Sequence, residues 1–166
     1  SQKCVQWTGF DIRLAKFIQP KTFEKYDDIR KLCDLDLLWN STGDGTVGRV
    51  ALYEEAKNNF GIAVADSHVS VLRPKINNYF LYFICSSPYI QNKISSIVTG
   101  STKQTELGLN TIKNLVIPVP PLNEQIKIVE KVNSIMKICD EQEKNIKEAK
   151  ENINKLNQAI LREMFN

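Results

Sequence analysis

Apolar and polar residues follow three different rhythms along the chain. In the first part, short β-branched and aromatic runs are interrupted by glycine-bearing polar clusters. Leu35–Asn40 and Val47–Tyr53 read as two strands around a glycine turn, and Gly61–Ala65 and His68–Leu72 as two more, closed off by Pro74. Asn78–Ser86 and Pro88–Val98 switch to helical spacing, with Phe80, Phe83 and Ile84 in the first and Ile90, Ile94 and Ile97 in the second. Residues 99–108 form a polar loop, and Leu109–Asn114 a short helix. The opening Cys4-Val-Gln-Trp7 reads as a strand already under way without a turn leading into it, so the chain is expected to start inside a domain.

The third rhythm begins after Leu115-Val-Ile-Pro-Val-Pro-Pro121, an apolar stretch that its prolines hold extended. From Asn123 to Phe165 there is neither glycine nor proline, and good helix formers dominate. Asn123 is the expected N-cap, with Glu124 at the positive end of the helix dipole. A continuous helix here is about 65 Å long. Ile128, Val132, Ile135, Cys139, Gln142, Ile146, Ala149, Ile153, Leu156 and Ile160 are spaced by alternating steps of four and three, a sustained heptad seam with Gln142 its single polar position. Val129, Met136 and Ile138 widen the stripe in the first half only. The first turns are therefore expected to lean on the globular part. Further along the stripe is narrow, which suits pairing with one other helix, so Val132, Ile135, Cys139, Ile146, Ala149, Ile153, Leu156 and Ile160 are the expected helix-pairing residues. The alternative is a helix folded back on its own domain, where so long and narrow a stripe would be hard to bury. Residues 1–121 and 122–166 thus divide the chain into a mixed, β-rich domain and a long coiled-coil helix, an α+β protein.

Composition narrows the function classes. Of 166 residues, 42% are hydrophobic and 25% charged, ordinary values for a folded domain. No apolar run approaches the ~18 residues of a membrane span, and the opening carries no signal-peptide pattern. Cys4, Cys33, Cys85 and Cys139 are scattered and the lone histidine is His68, which argues against a metal site and fits a reducing cytoplasm. The net charge of +3 lies wholly in residues 1–121, since the eight basic and eight acidic residues after them cancel. That distribution is compatible with a nucleic-acid partner.

Gly43-Asp-Gly-Thr-Val-Gly48 fits the dinucleotide pattern G-x-G-x-x-G, but that fingerprint needs a helix after it. The residues that follow are β-branched and aromatic, so a hairpin whose glycines supply positive φ is the expectation. Asn40, Ser41, Thr42, Asp44, Thr46 and Arg49 form its polar rim, able to serve structure or recognition. Arg49 suits a phosphate or a guanine edge, and equally a surface ion pair. In Gly100-Ser-Thr-Lys-Gln-Thr105, Ser101, Thr102, Lys103 and Gln104 offer donors that could cradle a phosphate or simply be solvated. His68 reads as a structural hydrogen-bonding residue, and Asp34 and Asp36 as the lead-in to a strand. No nucleophile elbow, phosphate-binding loop or zinc framework is present, nor the Asn/Asp-Pro-Pro-aromatic tetrapeptide of amino-methyltransferases. No catalytic residue is assigned.

Three stretches together resemble the specificity subunits of type I restriction-modification enzymes. Asp36-Leu-Leu-Trp-Asn-Ser-Thr-Gly-Asp-Gly-Thr-Val-Gly-Arg49 is similar to the family's "D-x-L … G-x-G-T-I-G-R/K" hairpin. Gly100-Ser-Thr-Lys-Gln-Thr-Glu-Leu107 is similar to its "G-S-T-x-x-x-L" loop, and Leu115-Val-Ile-Pro-Val-Pro-Pro-Leu-Asn-Glu-Gln125 with Ile128-Val129 to its "I-P-x-P-P-x-x-E-Q-x-x-I-V" junction. The likeness covers residues 34–166 well and 1–33 loosely. It implies a target-recognition domain that reads half of a bipartite site in double-stranded DNA, and a helix that pairs with that of a second recognition half or a second copy. Modification subunits would bring S-adenosylmethionine and a restriction subunit ATP and magnesium, leaving this chain without a cofactor. Two alternatives stay open: the recognition tail of a single-chain restriction-methyltransferase, and a coiled-coil adaptor with no nucleic-acid role.

Overall fold

The computed structural model describes residues 1–97 and 106–165. Ser1–Gln125 and Ile126–Asn166 form two compact units. The first contains β1 (Val5–Gln6), β2 (Gly9–Phe10), α1 (Pro20–Phe23), β3 (Leu37–Asn40), β4 (Val50–Leu52), β5 (Val69–Leu72), α2 (Asn78–Ser86), α3 (Pro88–Ile97) and α4 (Leu109–Lys113). Helix α5 (Leu122–Met164) begins in the first unit and makes up the second. Two small antiparallel sheets with helices give the expected α+β class.

Strand β3 is the centre of the fold. It pairs with β4 on one side (Leu37 opposite Leu52, Trp39 opposite Val50) and β5 on the other (Leu37 opposite Leu72, Asn40 opposite Val69). All four of its residues are buried, because both faces of the sheet are covered. Leu37 and Trp39 point with Val50 and Leu52 into a core that takes Leu81 and Cys85 from α2, Ile90 and Ile94 from α3, and Leu107 and Ile112. Leu38 and Ala51 face the other way, onto Val5, Tyr53, Ala65 and Val69. Period-two alternation thus splits one apolar run between two cores. Burial pushes the Cys85 thiol up to about 12.

Helices α2 and α3 fall where their apolar spacing places them. The side chain of Asn77 caps α2 by accepting the Phe80 N–H at 3.0 Å. Four sequence expectations need correction. Gly61–Ala65 is not a strand: Gly61 sits at φ +87°, and only Val64 makes a bridge, to Lys31. β3 starts at Leu37, because Leu35 is turned to φ +61°, its N–H on Tyr53 O and its carbonyl accepting from Asn78 Nδ2, both at 2.7 Å. The opening does have a turn, a 3-10 turn over Gln2–Cys4, leading into a strand of two residues. Asn123 lies within α5 and does not cap it, since the helix starts at Leu122 and Pro121 O accepts the N–H groups of Glu124 and Gln125.

In the second unit α5 runs uninterrupted. With no second helix beside it, the seam is open to solvent: Ile146 is 54% exposed, Ile153 57% and Leu156 61%. Ile135, Cys139, Ala149 and Ile160 are exposed too, and Val132 is half-buried. No helix of the described residues is long and apolar enough to cross a membrane.

Candidate nucleic-acid interface

The glycine cluster joins β3 to β4 as a turn, so no helix opens after it and the dinucleotide context is absent. Gly43 (φ +103°) and Gly48 (φ +88°) occupy backbone that L side chains rarely adopt. Space makes the same demand: a Cβ on Gly43 would lie 2.3 Å from Thr46 Oγ1, and one on Gly48 3.1 Å from Gln91 Oε1. The turn closes through Val47 N–H to Gly43 O at 3.0 Å and Gly48 N–H to Asn40 O at 2.9 Å.

The structure divides the rim residues by role. Asn40 is fully buried, its Nδ2 donating to Gln2 O at 3.0 Å, so it offers no surface to a duplex and instead ties β3 to the chain's opening. Ser41 is buried as well, its N–H on His68 O at 2.9 Å and its carbonyl accepting from Leu107 N at 2.7 Å. Both are candidates for DNA contact by sequence, and both are buried here. Their place beside the turn suggested access, whereas the sheet and its neighbours enclose them. Thr42 and Thr46 are half-buried and Asp44 is exposed. Thr46 Oγ1 donates to Thr42 O at 3.0 Å, fixing the turn from inside.

Arg49 is half-buried. Its Nη1 donates to Gln6 Oε1 at 2.9 Å and its Nη2 to Gly45 O at 2.8 Å. Neither bond is an ion pair: the guanidinium clamps the tip of the turn onto β1. Sequence reasoning missed Gln6, which gives no local sign of meeting a residue 43 positions away.

Two further segments meet this turn. Thr42 bridges to Glu106, and its Oγ1 lies 2.8 Å from His68 Nδ1. His68 is exposed, and Asp66 Oδ1 accepts its N–H at 3.0 Å. Turn 42–46, turn 66–68 and Glu106 therefore form one polar edge. Ser101, Thr102, Lys103 and Gln104 lie outside the described residues.

Elsewhere in this unit the paired aspartates are structural. Asp36, 2% exposed, accepts from Arg73 Nε at 2.9 Å and Nη2 at 3.0 Å and from Cys33 N–H at 2.8 Å. Hydrogen bonding to that carboxylate raises the Arg73 guanidinium above its ordinary value. Asp34 Oδ1 accepts the Glu55 N–H. Among the described residues no three His, Cys, Asp or Glu side chains gather as metal ligands would.

Residues 6–152 match the type I restriction modification DNA specificity domain, and the chain belongs to that family. It is 31% identical over 121 residues to the type I restriction enzyme EcoBI specificity subunit of Escherichia coli, covering 73% of this chain and 25% of that protein. It is 30% identical over 129 residues to the StySPI specificity subunit of Salmonella potsdam (74% and 27%), and 32% over 98 residues to the EcoAI specificity subunit of E. coli (57% and 16%). The match thus spans between 16% and 27% of the length of these relatives.

Proposed function

We propose that this chain is a DNA-recognition part of a type I restriction-modification specificity subunit. Its first unit reads one half of a bipartite target, and the seam of α5 pairs antiparallel with an equivalent helix that carries the second half. The observation that carries this reading is the extent of the family match, which takes in the sheet-bearing unit and most of α5 alike. The exposed seam supports the pairing, since a row of isoleucines and a leucine in water is stabilised by burial against another helix. The chain itself does no chemistry. Methylation belongs to modification subunits that bind S-adenosylmethionine, and cleavage to a restriction subunit that uses ATP and magnesium, all acting in the cytoplasm. Lys103, with Ser101, Thr102 and Gln104, supplies backbone contacts to the duplex.

Selection from a pool of random duplexes by the chain co-purified with its modification subunits tests this. The expected result is enrichment of a two-part sequence with a constant gap, at an affinity that falls steeply with salt as released counterions require. A pool that comes through unenriched counts against the reading.

A further inference from the structure

The histidine at the polar edge has its two ring nitrogens in different situations. Nδ1 is held 2.8 Å from Thr42 Oγ1, and Asp66 Oδ1 takes the backbone N–H of the same residue at 3.0 Å. Backbone and ring are thus both anchored, yet the residue is exposed. Among the described residues no hydrogen bond engages Nε2. An imidazole fixed at one nitrogen and open at the other is a pre-organised single-point reader, because little side-chain freedom is lost when the second nitrogen finds a partner.

The charges around it select what that partner is. On the same edge stand Asp44, on the glycine turn, Asp66, on the histidine's own turn, and Glu106, bridged to Thr42. Arg49, which follows the glycine turn, spends its guanidinium on Gln6 and Gly45. Among the described residues, these carboxylates disfavour a phosphate oxygen as the partner of Nε2. The edge does suit the major-groove face of a base pair, where carboxylates accept from exocyclic amines and an N–H donates to a purine N7 or O6.

We propose that His68 is a sequence-reading residue, with Thr42 as its positioning partner: Nε2 contacts a base edge in the major groove while the Thr42 bond fixes the ring. This assignment rests on the DNA-recognition reading above and adds to it a residue and a groove. Turn 66–68 then belongs to the reading surface together with turn 42–46.

Two substitutions separate contact from support, because asparagine places its amide near the Nδ1 position and glutamine near Nε2. His68→Asn keeps a partner for Thr42 and loses the outward group, whereas His68→Gln does the reverse. Both are made in the full chain, co-purified with its modification subunits. Affinity is measured on the selected duplex and on duplexes with single base pairs changed. His68→Asn is expected to reduce discrimination at one base pair of one half-site roughly tenfold or more, with the other positions unaltered. His68→Gln retains much of it. The opposite order, or unchanged discrimination in His68→Asn, overturns the proposal and leaves the residue a prop for Thr42. A readout without substitution accompanies it, since His68 is the chain's sole histidine. Its carbethoxylation by diethylpyrocarbonate, followed by mass spectrometry of this chain, is expected to be suppressed by the selected duplex and much less by a duplex lacking the target. Equal modification with and without target also overturns the proposal. A wild-type complex that shows no sequence preference at all defeats the recognition reading itself. A discriminating wild type alongside an equally discriminating His68→Asn defeats only the His68 assignment.

Discussion

Gln125 Oε1 accepts the backbone N–H of Asn77 at 3.0 Å, and its Nε2 donates to Pro120 O at 2.8 Å. With 3% of its surface exposed, Gln125 joins the first turn of α5 to the cap of α2 inside the first unit. It is the glutamine of the Pro-Pro-Leu-Asn-Glu-Gln junction, which gives that motif a physical reason: an amide supplies both the acceptor and the donor that this site needs. Gln125→Ala strands both buried partners and should lower stability by about 1–3 kcal/mol in urea unfolding. Gln125→Glu can accept from Asn77 but, when ionised, has no donor for Pro120, so it should be no better than alanine near neutral pH.

Arg73 and Asp36 form the most enclosed ion pair of the described residues, with the carboxylate side chain 3% exposed and the guanidinium 37%. Arg73→Ala leaves a buried carboxylate with only the Cys33 N–H as partner. Removing one member of a fully buried pair costs about 3–5 kcal/mol, and the partly solvated arginine brings the expectation here to ~1–3 kcal/mol. Thermal or urea unfolding measures it.

The two cysteine environments predict a clean division. Cys33 and Cys139 are exposed, whereas Cys4 and Cys85 are buried. In the unpaired chain two thiols should react with Ellman's reagent and four after unfolding, whereas pairing through the α5 seam should protect Cys139 and leave Cys33 the one reactive native thiol. Burial holds the Cys85 thiol at about 12, above its ordinary 9.0, so the folded state favours the protonated form. The raised value means that this contribution to stability is complete below about 9 and is lost as pH rises from there toward 12. A urea-midpoint series across that window reads the loss.

Arg49 and Lys103 should behave differently on DNA. Arg49 holds the turn through Gln6 and Gly45, so Arg49→Ala and Gln6→Ala should both weaken binding while leaving its salt dependence intact. Lys103→Ala should weaken binding equally on all sequences and flatten the log–log salt slope by ~1 if it meets one phosphate. A flattened slope in Arg49→Ala would mean that the arginine reaches a phosphate after all.

Much of this architecture was legible in the chain because it is encoded locally. Apolar spacing placed α2 and the start of α3, glycine demanded the hairpin turn, and the heptad pattern with its proline boundary located α5. Gly61–Ala65 misled because its composition suits a strand, while strand formation also needs a regular partner; Val64 finds only Lys31. The site was legible as a list of residue types and not as a set of contacts. Arg49 with Gln6, Thr42 with His68, and Asn77 with Gln125 are 43, 26 and 48 residues apart, and nothing local announces such pairs. The place of Asn40 was hidden for a related reason: its side chain turns inward to Gln2 and Val5, which only the folded opening of the chain reveals.

The seam of α5 gives the prediction about assembly. Burying one of its isoleucines contributes ~1.5–3 kcal/mol, and an aspartate there would put an unpaired charge between two helices. Replacing both Ile146 and Ile153 by Asp should abolish pairing in sedimentation experiments. Affinity for the two-part site should then drop to that of a half-site, because the second contact is no longer tethered.

The central claim, that this chain reads half of a bipartite target for methylation, is tested most directly by mapping methylated adenines across a genome in cells that express it with its modification subunits. The expected result is methylation at a two-part sequence of constant gap, absent when the chain is omitted and lost from the two-part site when Ile146 and Ile153 are both replaced by Asp. Methylation that is sequence-independent, or that persists with the same target when the chain is left out, would contradict it.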